Sequence, residues 1–229
     1  MIREFEAILF DVDGTLVYSI DLIVQGLSDT FHEFAGRRPD EAEILGKIGR
    51  PLRSQLLDYS VMSPSQEQVE AMTSFAINRF EDLKHLERHF PAAVETLRWV
   101  HQQGIKTALV TSKSRVELEA FLTRFDSAGY VDAIVTASDV AHPKPDPESA
   151  LRACELLGVA PRAAAMIGDS VFDIRCANGA GLTSIAVGYG AANPDTLIKE
   201  RPDLYFETPE ALLAWAKELA PTESCPVRK

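Results

Sequence analysis

Cysteine is scarce in this 229-residue chain: only Cys154, Cys176 and Cys225 are present. The count is odd and the spacings are long, so neither a disulfide framework nor a zinc-ligand pattern fits. Isolated thiols of a reducing cytosol are the expectation. Histidine is equally thin, and His32, His85, His89, His101 and His142 form no metal-ligand spacing. Positive charge is in deficit, with 23 Lys and Arg against 34 Asp and Glu and a net charge of −11. That balance argues against a nucleic acid partner, which needs a basic face, and against an anionic membrane surface. A small anionic substrate is still allowed, because a bound cation can reverse the local field. Long apolar runs are missing too. The run 7–10 is far too short for a signal sequence, and no stretch approaches the ~18 apolar residues of a membrane span. The expectation is a soluble, cytoplasmic protein.

What is present suits a globular chain, 46% apolar and 25% charged. Short apolar runs at 5–10, 106–110, 131–136, 163–167 and 183–187 each end at a polar turn, as strands buried on both faces do. Helical patterns separate them, at 91–103, 117–125 and 147–157. A further strand at 204–206, a helix at 209–219 and a frayed tail at 222–229 complete the reading. The alternation gives an α/β doubly wound, Rossmann-like parallel sheet, whose ligands sit beyond the carboxyl ends of its strands. Between the first two strands the pattern is purely helical. Ile20, Ile23, Leu27, Phe31 and Phe34 make one amphipathic stripe, and Val69, Met72, Ala76, Phe80 and Leu83 another. This implies a core of residues 1–16 and 88–229, with a helical domain of residues 17–87 inserted into it.

Four strand ends carry chemistry. Asp11-Val12-Asp13-Gly14-Thr15 closes the first strand, and alternation puts both carboxylates on one side. Carboxylates this close call for a cation or a shared proton, and a hard cation such as Mg²⁺ suits them; a simple Asx turn is the alternative. Thr111 and Ser112 stand at a second strand end, as anion ligands or as an N-cap. Lys144 lies among three prolines in Pro143-Lys144-Pro145-Asp146-Pro147, a rigid setting for an ammonium, or merely a surface loop. In Gly168-Asp169-Ser170-Val171-Phe172-Asp173, Asp169 and Asp173 lie one helical turn apart and can face one point. An acidic cap with a first-turn Asp would look the same.

Together, in this order, these motifs resemble those of the haloacid dehalogenase-like hydrolases, and the resemblance spans nearly the whole chain. It implies that the helical insert is an α-helical cap. It implies a Mg²⁺-dependent phosphatase in which Asp11 is the nucleophile and forms an aspartyl-phosphate. Asp13 would serve as the acid and then the base, in a less anion-stabilising setting than Asp11. The metal would be held by Asp11, by the Asp13 carbonyl and by Asp169, with Asp173 acting through water or by orienting ligands. Thr111 and Lys144, with groups near Gly14, Thr15 and Ser112, would hold the phosphoryl oxygens. The presence of Asp13 points to phosphate rather than carbon–halogen chemistry.

Within the family the chain is most similar to phosphoglycolate phosphatases and related pyrophosphatases, with a phosphomutase of the same fold as a further alternative. Tyr18 and Ala92 depart from the family pattern. In the insert, Lys47 and Arg50 of Gly46-Lys47-Ile48-Gly49-Arg50-Pro51 fall on a loop. They could meet a second anion on a small phosphorylated metabolite, or balance Glu41 and Glu43. Monomer and homodimer are both open.

Overall fold

The computed structural model describes residues 5–219. Cys225 and the tail 222–229 lie outside them. In chain order, β1 is Ala7–Phe10 and β2 is Val17–Tyr18. The helices α1 (Ile20–Ala35), α2 (Glu41–Leu45), α3 (Leu52–Leu56) and α4 (Gln66–Asp82) follow. Next come β3 (Arg88–His89), α5 (Pro91–Gln102), β4 (Lys106–Val110), α6 (Arg115–Leu122) and β5 (Ala133–Val135). The chain continues through α7 (Glu148–Leu157), β6 (Ala164–Gly168), α8 (Val171–Ala180) and β7 (Thr183–Val187). It closes with α9 (Pro194–Lys199), β8 (Leu204–Phe206) and α10 (Pro209–Lys217).

Six strands form one parallel sheet in the order β5-β4-β1-β6-β7-β8. Its central strand β1 pairs with β4 and β6 and is fully buried. Alternation along that strand builds two cores. Ile8 and Phe10 join Leu97, Val100 and Leu212 of α5 and α10 on one face. Ala7 and Leu9 join Ala150, Ala153 and Cys176 of α7 and α8 on the other. The order reverses on either side of β1, so the loops after β1, β4 and β6 converge at the carboxyl edge. The doubly wound α/β reading therefore holds.

The segment between β2 and β3 is helical, and Leu27, Phe31, Ile44, Leu56 and Met72 form an apolar cluster within it. One element at its ends was not expected. β2 and β3 form a two-stranded antiparallel ladder pairing Val17 with His89 and Tyr18 with Arg88. This ladder ties the two chain crossings together. Tyr18 sits in it, with the Arg88 guanidinium 4.8 Å over its ring and its hydroxyl donating to Asp21 at 2.8 Å. Among the described residues no helix is long and apolar enough to cross a membrane.

Helix starts also differ in detail. α6 begins at Arg115 under a capping box of Ser114 and Glu117, so neither Thr111 nor Ser112 is its cap. α8 begins under a box of Ser170 and Asp173, so the cap is a serine rather than an aspartate. In both boxes the serine satisfies one orphan backbone donor and the acid another. That frees the strand-end residues just before the helix.

Candidate active site

The strand ends bring Asp11, Asp169 and Asp173 together, all buried, with one carboxylate oxygen from each within 4.8 Å of the others. Lys144 reaches the same point. Its Nζ donates to Asp11 Oδ1 at 2.8 Å, to Asp173 Oδ1 at 2.6 Å and to the Val110 carbonyl at 3.0 Å. The proline-flanked loop holds this lysine at 3% exposure, so it is a buried ion-pair partner and not a surface lysine. The other Asp173 oxygen accepts from the Ser170 backbone N–H at 3.0 Å and hydroxyl at 2.5 Å. One side chain thus completes the α8 capping box and fixes Lys144.

Three buried carboxylates face one ammonium. Burial pushes the Asp11 carboxyl up to about 7, Lys144 pulling it down and Asp173 and Asp13 pushing it further up. Burial, with the charges of Asp11 and Asp173, raises Asp169 well above the ordinary carboxylate range. The surplus negative charge and the all-oxygen donor set suit a hard divalent cation. Asp173 was expected to act through water or by orienting ligands; its carboxylate lies in the cluster, with its oxygens engaged by Lys144 and Ser170. The Asp13 side chain lies outside it.

Asp13 instead receives the Ser19 hydroxyl at 2.6 Å on one oxygen and lies 2.8 Å from Lys113 Nζ on the other. Asp13 was expected to have the less anion-stabilising setting; among the chain's own groups its direct partners are this hydroxyl and this ammonium. Asp13 pairs directly with Lys113, whose ammonium also feels Glu117 and Glu87, while Asp11 shares Lys144 with Asp173. Lys113 was not singled out from the sequence, because its partner lies in a remote segment.

Glycines shape the cradle. Gly14 has φ +75°, and a Cβ there would overlap the Asp169 carboxylate. Gly190 faces the same carboxylate from the loop after β7, and there too a Cβ would overlap it. The next residue, Ala191, donates its backbone N–H to Asp169 Oδ2 at 2.7 Å. Tyr189 donates its hydroxyl to the Thr15 carbonyl at 3.1 Å. This loop also escaped sequence reasoning, since it contributes a backbone donor and a missing side chain rather than a recognisable motif. Thr15 and Thr111, expected at the phosphoryl oxygens, are buried at the strand ends. The Thr111 hydroxyl accepts the Lys113 backbone N–H at 3.2 Å.

The 46–51 loop reaches this edge. Ser112, expected on the phosphate, donates its hydroxyl to the Gly49 carbonyl at 2.6 Å. A cavity of about 210 Å³ lies beneath, reached by Asp11, Asp13, Ser112, Lys113 and Arg50. Lys47 is not among its lining residues. Its ammonium lies 3.7 Å from both Glu43 and Asp58 and sits 5.1 Å over the Tyr59 ring. Arg50 lines the cavity while its Nη1 pairs with Asp58 at 2.7 Å. The balancing acids are thus Glu43 and Asp58, not Glu41.

A family model for haloacid dehalogenase-like hydrolases matches residues 8–187, from the first strand to the end of the fifth strand of the parallel sheet in chain order. The chain belongs to this family. It is an enzyme of the family's phosphatase type. The PpaX protein of Clostridium perfringens is 33% identical over 220 residues, covering 93% of this chain and 98% of that one. A pyrophosphatase PpaX from Bacillus cereus is 30% identical over 212 residues, covering 92% and 95%. A hydrolase from Pseudomonas syringae superimposes with a TM-score of 0.82 at 26% identity, covering 93% of this chain and 99% of that one.

Proposed function

We propose that this phosphatase hydrolyses a small phosphorylated metabolite with Mg²⁺, through an aspartyl-phosphate on Asp11, beneath a helical cap formed by residues 17–87. The observation that carries the reading is the buried Asp11, Asp169 and Asp173 cluster bound by Lys144, opening through Asp11 and Asp13 into one cavity.

Asp11 and Asp169 would hold the metal, with Asp173 beside them and the Asp13 carbonyl completing the set. When bound, Mg²⁺ supplies the positive charge that lets an anionic phosphoryl group approach a carboxylate. Lys144 holds one oxygen of Asp11 and leaves the other to attack phosphorus. The new bond is Oδ–P, the broken bond is P–O of the leaving group, and Asp13 gives that oxygen its proton. For this, Asp13 must loosen from Lys113, and the incoming phosphoryl oxygens are competing acceptors for that ammonium. Asp13 then takes a proton from the water that attacks the aspartyl-phosphate, releasing phosphate and restoring Asp11. Ser19 keeps Asp13 oriented throughout. Thr111 and backbone groups near Gly14, Thr15 and Ser112 would hold the phosphoryl oxygens, while Lys144 stays on Asp11, Asp173 and the Val110 carbonyl.

The test is phosphate release from phosphoglycolate, pyrophosphate, hexose phosphates, nucleoside monophosphates and an aryl phosphate, with Mg²⁺ or with chelator. Release that needs Mg²⁺ and falls to background in Asp11→Asn is the expected result. Undiminished release by a folded Asp11→Asn enzyme would overturn it. The PpaX similarity supports pyrophosphate as a second reading of the substrate.

A further inference from the structure

We propose that the substrate's leaving group is apolar and that the phosphoryl group is its sole anion. This rests on the phosphatase reading above and narrows it, away from pyrophosphate and phosphoglycolate.

The far wall of the cavity is hydrocarbon: Leu22, Ile23, Leu27, Ile48, Ile77 and Phe80 all line it. Leu22 and Ile48 are 3% and 5% exposed, yet neither belongs to the apolar clusters of the core or the cap. A cavity of ~150 Å³ lined by such residues already holds benzene, and this one measures about 210 Å³. The space exceeds what a phosphoryl group needs, and its surface rewards carbon.

The charges point the same way. The cations lining the cavity, among the described residues, are Arg50, Lys113 and Arg124. Each is already matched by a carboxylate of this chain. Arg50 pairs with Asp58 at 2.7 Å and Lys113 with Asp13 at 2.8 Å. Arg124, on α6's C-terminal side, grips Glu87 at 3.0 and 3.3 Å and lies 3.6 Å from Glu81 of α4. Glu81 and Glu87 themselves line the cavity. A second phosphate or a carboxylate on the substrate would lose its water here and meet three glutamates, Glu81, Glu87 and Glu117, and no spare cation. Such a buried, unpaired charge is costly.

The decisive comparison is isosteric. Isobutyl phosphate and phosphoglycolate differ in little beyond a dimethyl fork against a carboxylate. Wild-type enzyme in Mg²⁺ is assayed on both, on pyrophosphate, and on ethyl through n-pentyl phosphate, with Asp11→Asn as the blank. The expected result is a kcat/KM about tenfold or more higher for isobutyl phosphate than for phosphoglycolate. In the n-alkyl series, kcat/KM rises about three- to fourfold per methylene until the chamber is full. Leu22→Asn and Ile48→Asn are each expected to lower the pentyl-to-ethyl ratio. A flat series, or a higher kcat/KM on pyrophosphate or phosphoglycolate, overturns the inference and leaves the phosphatase reading standing. No Mg²⁺-dependent release from any ester overturns both.

Discussion

Lys144 Nζ lies 2.8 Å from Asp11 Oδ1, and both groups are almost completely removed from water. The same ammonium holds Asp173 at 2.6 Å. A pair this deep is hard to replace from one side only, because the partner left behind is a buried, uncompensated charge. Lys144→Met is expected to cost about 3–5 kcal/mol of unfolding free energy, measured by urea titration in chelator. Activity should vanish with it. Mg²⁺ should restore part of the lost stability, since it compensates the same acids. A Lys144→Met protein as stable as wild type in chelator would show that the carboxylates do not depend on this lysine.

Gly190 tests the loop that carries no recognisable motif. A Cβ there would come under 3.0 Å from the Asp169 carboxylate, and the adjacent Ala191 N–H holds that carboxylate at 2.7 Å. Gly190→Ala must push either Asp169 or the loop aside. Its φ lies outside the left-handed region, so backbone strain is not the cause. The expected outcome is a large loss of the Mg²⁺-induced rise in Tm and of turnover, with a smaller change in Tm in chelator. An unaltered Mg²⁺ response would separate Asp169 from metal binding.

These two cases also mark what was legible in the chain. Asp11, Thr111, Lys144, Asp169 and Asp173 could be read because each closes or follows a short apolar run, and the fold sends all such ends to one edge. Gly190 and Ala191 could not, because their contributions are an absent side chain and a backbone donor. Lys113 was hidden because nothing in its own segment announces that Asp13 will pair with it. Arg50 was seen, but its partner Asp58 only becomes a neighbour once α2 and α3 fold back over the loop. The β2/β3 ladder, two residues on each side, is too short to show any alternation.

Acid should weaken the cap through Asp29, which joins Arg79 of α4 at 2.9 Å and Arg38 at 2.7 Å. Partial burial alone would raise its carboxyl, but the hydrogen bonds and charges of the two arginines outweigh that and hold it below its ordinary 3.8. A depressed carboxyl binds fewer protons folded than unfolded. Its contribution is complete above pH 3.8 and is lost as the pH falls through the lower folded value. Tm measured from pH 6 down to about 2.5 should therefore drop less steeply in Asp29→Asn than in wild type. Parallel acid limbs would mean that this network adds nothing to the cap.

The last prediction concerns Gly49, where the cap meets two strand-end loops at once. Its carbonyl accepts the Ser112 hydroxyl at 2.6 Å, and its φ is +97°. A Cβ at this position would stand 2.8 Å from the Ser170 hydroxyl and 3.0 Å from the Phe172 ring. Gly49→Ala then carries two separate penalties. The left-handed backbone costs a non-glycine residue about 1–2 kcal/mol wherever the cap lies. The clash with Ser170 arises only when the cap is seated, so it acts on closure. Asp169 keeps the Ala191 N–H, and Asp173 keeps Lys144 and the Ser170 backbone N–H even if the Ser170 hydroxyl is displaced, so both should still respond to Mg²⁺. The variant is therefore expected to lose no more than about 2 kcal/mol of stability and to keep its Mg²⁺-induced Tm shift. Its kcat/KM should nevertheless fall well beyond that of Ser112→Ala, which removes one hydrogen bond of about 1 kcal/mol without strain. Equal losses in the two variants would mean that only the hydrogen bond matters, and that the close approach of Gly49 to Ser170 plays no part in seating the cap.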